Sequence, residues 1–303
     1  MPGSGTWAPS GIVDAVTDLA IEVRGLTKAY AGNAAVDSVD LEIPRGEVFA
    51  LLGPNGAGKT TTVEILEGYR HRDGGTVTVL GTDPGHADAA WRARVGIVLQ
   101  GTGEFDELTV AEVVRHFARY YPNPDDPEAV IERVGLTGKR RSRTHVLSGG
   151  QKRRLDVALG IIGRPELLFL DEPTTGFDPQ ARRDFWGLVR ELAQSGTTIL
   201  LTTHYLEEAE ALADRVGVIN SGRLVAVAPP AELADRASAP ATVGWQGPQG
   251  PLSQLTGTPT AFIAELAAGF GGEVPGLTVS RPTLEDVYLE MIGGGEAAAG
   301  GAA

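Results

Sequence analysis

Three segments of this chain carry residue types whose spacing suits chemistry on phosphate. Gly53-Pro54-Asn55-Gly56-Ala57-Gly58-Lys59-Thr60 matches the phosphate-binding loop pattern at every required position. Its glycines let backbone N–H groups fold around phosphate oxygens without Cβ interference, and a helix starting there adds its positive dipole end. Lys59 would neutralise phosphate charge, and the Thr60 hydroxyl would ligate Mg2+. Leu167-Leu168-Phe169-Leu170-Asp171-Glu172 is an apolar run ending in two carboxylates. In such a strand Asp171 would hold the Mg2+ shell, and Glu172 would polarise an attacking water. Leu147-Ser148-Gly149-Gly150-Gln151, ahead of the basic run Lys152-Arg153-Arg154, forms a second anion-binding nest at a helix start.

Strands and helices must alternate to bring these segments together. Short apolar runs at 48–52, 76–80, 95–99, 167–170, 197–201 and 216–219 read as strands, and 21–24 alternates as a half-buried strand should. Residues 39–43 and 48–52 read as a strand pair separated by the turn Pro44-Arg45-Gly46. Helical patterns at 180–194 and 206–214 fall between strands, which predicts a mainly parallel sheet covered on both faces. Residues 112–121, 127–134 and 151–162 suit helices with no convincing strand between them. The stretch 101–160 is therefore expected to be a helical subdomain inserted into an α/β core.

The ends differ in composition. Residues 1–18 are rich in Gly, Ser, Pro and Ala, and are expected to form a flexible tail. Residues 237–259 are rich in Gly, Pro, Gln and Thr, and helical patterning returns at 261–268 and 283–292. Leu284, Val287, Tyr288 and Met291 share one helix face, Thr283 with Asp286 makes a capping box, and Gly293 is a stop signal. The expected division is a core at 19–228, a small C-terminal extension at 229–292 and a disordered tail at 293–303.

Composition excludes several classes. The 303 residues carry 39 Asp+Glu against 26 Lys+Arg, a formal net charge of -13, which argues against a nucleic-acid footprint. There is no cysteine, so disulfide scaffolds, thiol catalysis and iron–sulfur clusters are ruled out. No run approaches the roughly 18 apolar residues of a spanning helix. The first 20 residues contain no Lys or Arg, so they lack the basic region of a secretory signal. An intracellular protein that does not itself cross a membrane is the expectation.

With the Ser148–Gln151 segment in place, the sequence resembles the ATP-binding cassette (ABC) ATPases, whose signature is the pentapeptide Leu147–Gln151. Further motifs follow in order: Tyr30 resembles the aromatic residue that stacks on adenine, and Gln100 the Q-loop glutamine. Asp178 in Gly176-Phe177-Asp178-Pro179 resembles the D-loop aspartate, and His204 the switch histidine. Phe177 stands where the family usually has Leu, a packing variation since Asp178 is kept. The resemblance spans about residues 19–228. It implies a P-loop NTPase (RecA-like) nucleotide-binding domain that binds ATP and Mg2+. Tyr30, Gly53, Pro54, Asn55, Gly56, Ala57, Gly58, Lys59, Thr60 and Thr61 would hold nucleotide. Ser148, Gly149, Gly150, Gln151 and Asp178 of a second, identical cassette stacked head to tail would complete the site. Thr60, Gln100 and Asp171 would share the metal, and Glu172, His204 and Gln100 would carry catalysis.

Residues 109–113, 154–166, 220–233 and especially 284–290 are similar to the daunorubicin-resistance branch of this family. That branch implies an ATPase subunit at the cytoplasmic face of the cell membrane, driving a separate ABC-2-type permease for efflux of drugs or other hydrophobic compounds. Glu104-Phe105-Asp106-Glu107 would help contact that permease. Export of lipid or polysaccharide by the same architecture stays open, as does a soluble non-transport ABC ATPase.

Overall fold

The computed structural model describes residues 18–98, 105–236 and 238–299. In chain order the main elements are β1 (Leu19–Tyr30), β2 (Asn33–Pro44), β3 (Val48–Leu52), α1 (Lys59–Leu66), β4 (Gly74–Val79), α2 (Ala89–Arg92) and β5 (Val95–Val98). Next come α3 (Val110–Ala118), α4 (Pro127–Arg133), α5 (Gly149–Ile161), β6 (Leu167–Asp171), α6 (Pro179–Gln194), β7 (Thr198–Thr203), α7 (Leu206–Leu212), β8 (Arg215–Asn220) and β9 (Arg223–Ala228). The chain closes with β10 (Ala241–Gly247), β11 (Gly250–Thr256), α8 (Pro259–Phe270), β12 (Thr278–Ser280) and α9 (Leu284–Ala299).

The central sheet has the order β5-β6-β7-β3-β8-β9, parallel except for the antiparallel edge strand β9. All five residues of β3 are buried. Val48, Ala50 and Leu52 join one core cluster and Phe49 and Leu51 the other, so the sheet is covered on both faces. Strands β6 and β7 split in the same way, with Leu168, Leu170, Ile199 and Leu201 on one side and Leu167, Phe169 and Leu200 on the other. Each fully buried Leu or Phe contributes roughly 1.5–3 kcal/mol to folding. The pooled contribution holds the carboxyl ends of β3, β6 and β7 at one edge.

The expected pairing of residues 39–43 with 48–52 is corrected. Strand β2 pairs with β1 in a separate antiparallel sheet, order β2-β1-β4, while β3 pairs with β7 and β8. The patterns give the reason: residues 39–43 alternate apolar with acidic and suit a sheet with one wet face, whereas β3 is continuously apolar and needs cover on both. Gly46, at φ 77, lets the chain turn from one sheet into the other.

Helices α3, α4 and α5 follow one another between β5 and β6, packing Val110, Val113, Val114, Val130, Ile131, Leu155 and Leu159 together. Thr109 and Glu112 cap α3 reciprocally. Residues 99–104 lie outside the described residues, and so do 1–17 and 300–303. Of the acidic segment expected to face a permease, Glu104 is therefore not described. Phe105 packs edge-on to Phe117, and Glu107 pairs with Arg143 at 2.5 Å.

The composition-biased stretch after residue 237 also contains strands that its patterning did not announce. A hairpin of β10 and β11 turns at Pro248-Gln249, and β12 adds on the other side of β10. Helix α9 keeps the expected face and cap: Leu284 and Val287 are buried in the main core, and Thr283 and Asp286 exchange the capping bonds. Gly293 is not its end. Glycine stops a helix by turning left-handed; Gly293 stays helical and the alanines beyond favour continuation, so α9 runs to Ala299.

Candidate nucleotide-binding site

The central strand β3 delivers the loop 53–58 to the carboxyl edge of the sheet, and α1 starts directly after it. Two glycines are required by the local space. A Cβ on Gly53 would stand 2.4 Å from the Ile219 carbonyl oxygen, and one on Gly58, at φ 107, would stand 2.3 Å from that of Ala35. The first turn of α1 has no side-chain cap, so its N–H groups are available to an anion. Lys59 is 7% exposed, and its Nζ donates to the carbonyls of Gly53 at 2.6 Å and Pro54 at 3.2 Å. Burial pushes this ammonium down from its ordinary value, opposed by the carboxylates of Glu172 and Asp171.

One cavity of about 390 Å³ is lined by Pro54, Asn55, Gly56, Lys59, Thr60 and Thr61 together with Asp171 and Glu172. The phosphate loop and the paired carboxylates, more than a hundred residues apart in sequence, thus open on the same space. Thr202 Oγ1 donates to Asp171 Oδ1 at 2.5 Å, which fixes that carboxylate. Glu172 takes a left-handed backbone conformation with φ 44, uncommon for a residue with a side chain. Its carboxylate lies 3.2 Å from His204 Nδ1 and accepts from Thr175 Oγ1 at 3.3 Å. His204 packs on Tyr205 at 4.1 Å between centroids, and the Arg182 guanidinium sits 4.5 Å over the Tyr205 ring.

The other expected residues that the structure describes do not line this cavity. Ser148 caps α5: Gln151 N donates to Ser148 Oγ at 3.3 Å, and Ser148 N donates to Gln151 Oε1 at 3.1 Å. Ser148 and Gly149 are exposed, with Gly150 half-buried beside them. Asp178 caps α6, accepting from Gln180 N at 2.9 Å and Ala181 N at 2.8 Å. Phe177 is buried edge-on against Phe185 at 5.8 Å, the packing expected of the departure from Leu. The Tyr30 ring is 38% exposed, with the Lys28 ammonium at 5.6 Å and the Arg70 guanidinium at 5.3 Å. Gln100 lies outside the described residues.

Two supporting residues escaped sequence reading. Arg153 sits in a basic run that reads as a solvated anion-binding face, yet it is 8% exposed and turned inward. Its Nη2 donates to the Asp171 carbonyl at 2.5 Å and its Nε to that of Pro173 at 3.1 Å. Thr202 is the other; as the fifth residue of an apolar β7 strand it reads as core. A Thr at a parallel-strand end beside an Asp was the available signal.

The cavity fits Mg2+. Its donors are hard oxygens, the Thr60 hydroxyl and the Asp171 carboxylate. Among the described residues no three His, Asp or Glu side chains form a metal cage.

Comparison with known proteins agrees with this geometry. The family described as ABC transporter matches residues 36–175. The chain is 45% identical over 219 residues to the Nod factor export ATP-binding protein I of Ralstonia nicotianae, covering 70% of this chain and 68% of that protein. It is 37% identical to a daunorubicin resistance ATP-binding protein of Streptomyces coeruleorubidus, covering 92% of this chain and 97% of the relative. Among solved structures, a Clostridium perfringens subunit, part of the ABC transporter complex cbiONQ, superposes with a TM-score of 0.66 at 29% identity, covering 72% of this chain and 91% of that one. This chain belongs to the ABC transporter family, as one of its ATP-binding, ATP-hydrolysing subunits.

Proposed function

We propose that this subunit hydrolyses ATP between two copies of itself and drives a separate ABC-2-type membrane permease, exporting a drug or another hydrophobic compound. The observation that carries the first part is the split arrangement of the site. Lys59, Thr60, Asp171 and Glu172 share one cavity, while the Ser148 helix start faces solvent away from it. Stacking a second copy head to tail brings its Ser148, Gly149 and Gly150 to the open side of the cavity and encloses the terminal phosphate.

Within the cavity the loop N–H groups and Lys59 hold the phosphates, and Lys59 exchanges its bonds to the Gly53 and Pro54 carbonyls for phosphate oxygens. Thr60, Asp171 and Gln100 would hold Mg2+, which would neutralise charge on the phosphate oxygens. Glu172 orients and polarises the attacking water, and His204, already beside it, contacts the terminal phosphate. Tyr30 stacks on adenine, and Asp178 meets the partner copy. Preorganised electrostatics of this kind supplies most of phosphoryl-transfer catalysis.

The export reading is supported by relatives named for daunorubicin resistance and for Nod factor export. No described helix is long and apolar enough to cross a membrane; on this reading the pathway belongs to a separate partner, with the subunit at its cytoplasmic side. The relatives are named for different compounds, Nod factor in one and daunorubicin in the other, so a lipid or polysaccharide cargo stays as the second reading. Glu172→Gln tests the chemistry: ATP binding should persist while turnover falls by about 100-fold or more. Turnover at the wild-type rate would remove Glu172 from its role. Copurification of a polytopic membrane protein with the tagged chain tests the transport part.

A further inference from the structure

Helix α7 opens on two acids, and the fold treats them in opposite ways. The Glu207 side chain is 81% exposed, with Arg182 Nη1 at 3.9 Å. Glu208, one residue on, is fully buried. Both lie in the first turn, where a carboxylate favours the helix dipole, and neither needs burial for that benefit. Burying a carboxyl is costly, and an apolar side chain of similar size would anchor α7 to the core at lower cost. Position 208 therefore calls for an oxygen, not for bulk.

That oxygen faces the segment that carries His204. Glu208 Oε1 accepts from Trp186 Nε1 on α6 at 3.3 Å. Burial pushes the carboxyl up from its ordinary value, and the facing Thr203 and Thr174 hydroxyls, the Trp186 N–H and the Arg182 guanidinium hold it back. Oε2 and Thr174 Oγ1 are buried without completing a hydrogen bond, so toward the loop after β6 the contact is an approach only. Thr203, also fully buried, accepts from Tyr205 N at 3.0 Å through its Oγ1. A hydroxyl has one proton to give and lone pairs to receive with. With its proton turned toward Glu208, Thr203 Oγ1 presents a lone pair to the Tyr205 N–H. That bond closes a short loop of backbone with His204 at its middle. The His204 side chain is otherwise 43% exposed, held only by Glu172 at 3.2 Å and by the Tyr205 ring.

We propose that Glu208 is a positioning residue for ATP hydrolysis: it orients the Thr203 hydroxyl, which holds the Tyr205 N–H and so fixes His204 beside Glu172. This rests on the reading above that His204 contacts the terminal phosphate, and adds what keeps it in place. Neither Glu208 nor Thr203 lines the nucleotide cavity, so both act through His204.

The test measures ATP hydrolysis by the full chain, with single-turnover runs so that slow variants stay readable. Thr203→Val removes the hydroxyl at nearly constant shape, and Glu208→Leu removes the carboxyl. Each should lower kcat about tenfold and leave the KM for ATP within about twofold, since other residues hold the nucleotide. Glu208→Gln keeps an acceptor oxygen and should stay within about threefold of the wild-type kcat. Placed on His204→Ala, the Thr203 and Glu208 changes should each cost less than about twofold more, because the group that they position is gone. Equal losses with and without His204 overturn the proposal. So does a wild-type kcat in Thr203→Val, or a Glu208→Gln as damaged as Glu208→Leu. Should Glu208→Leu fail to fold, Thr203→Val decides. Wild-type turnover in His204→Ala would overturn the underlying reading, and the proposal with it; a slow His204→Ala with unchanged losses overturns the proposal alone.

Discussion

Helices α1 and α5 both begin at glycine-rich nests, and they finish their N-termini in opposite ways. Gly58 offers α1 no side-chain cap, and the helix start is recessed in a cavity with Lys59 and two carboxylates. Helix α5 carries the reciprocal Ser148–Gln151 cap at its start, and Ser148 and Gly149 there are exposed. An uncapped, recessed end is reserved for a ligand that reaches it within one chain. A self-capped, exposed end is stable while it waits, and it needs a second body to present an anion. On the proposed reading, the difference means that the catalytic site is half built in each copy.

The largest effect comes from testing whether the two helix starts work in different copies. Lys59→Ala and Ser148→Arg should each lower turnover by about 100-fold or more. Mixed in equal amounts they should recover about a quarter of the wild-type rate, because half of random dimers are mixed and each holds one intact composite site. No recovery on mixing would place both helix starts in one copy's site and end the comparison. A smaller effect is expected at Arg153, which ties α5 to the carboxylate edge. Arg153→Met leaves the Asp171 and Pro173 carbonyls without their donor. Stability should fall by about 2–4 kcal/mol and turnover by roughly tenfold; unchanged melting would show that the two helices are not coupled through this side chain.

The smallest effect concerns the far end of α1. The Glu67 carboxyl, raised to about 8 in the folded chain, binds a proton that the unfolded chain releases near its ordinary value of 4.5. Its cost to folding is therefore absent below about pH 4.5, grows as pH rises, and is complete above about pH 8. Glu67→Gln should melt roughly 5 °C higher than wild type at pH 9 and within about 1 °C of it at pH 5. The same difference at both pH values would show that Glu67 does not titrate in this window.

What was legible in the sequence was whatever depends on local pattern or on ordered motifs. The phosphate loop, the carboxylate strand and the cap of α5 have their chemistry written in consecutive residues. The pairing of β2 was misread because a proline–glycine turn looks the same whether it closes a hairpin or hands the chain to another sheet. Arg153 was read as surface because basic runs usually are, and only packing shows which of three adjacent cations turns inward. Thr202 and Glu67 were invisible for a related reason: a hydroxyl in a strand and a carboxyl in a helix acquire meaning from neighbours that are distant in sequence. The C-terminal strands lacked a strong alternating pattern, since β11 exposes most of its side chains on both faces.

On the role proposed for Glu172, its backbone sets stability against activity within one residue. At φ 44 the polypeptide would rest most easily with glycine or asparagine there. Selection for a more robust fold would therefore drift toward residues that have no carboxylate to offer, and only selection for turnover holds glutamate in place. A cassette that ceased to need hydrolysis would be expected to lose this residue early, relaxing its backbone while keeping its nucleotide.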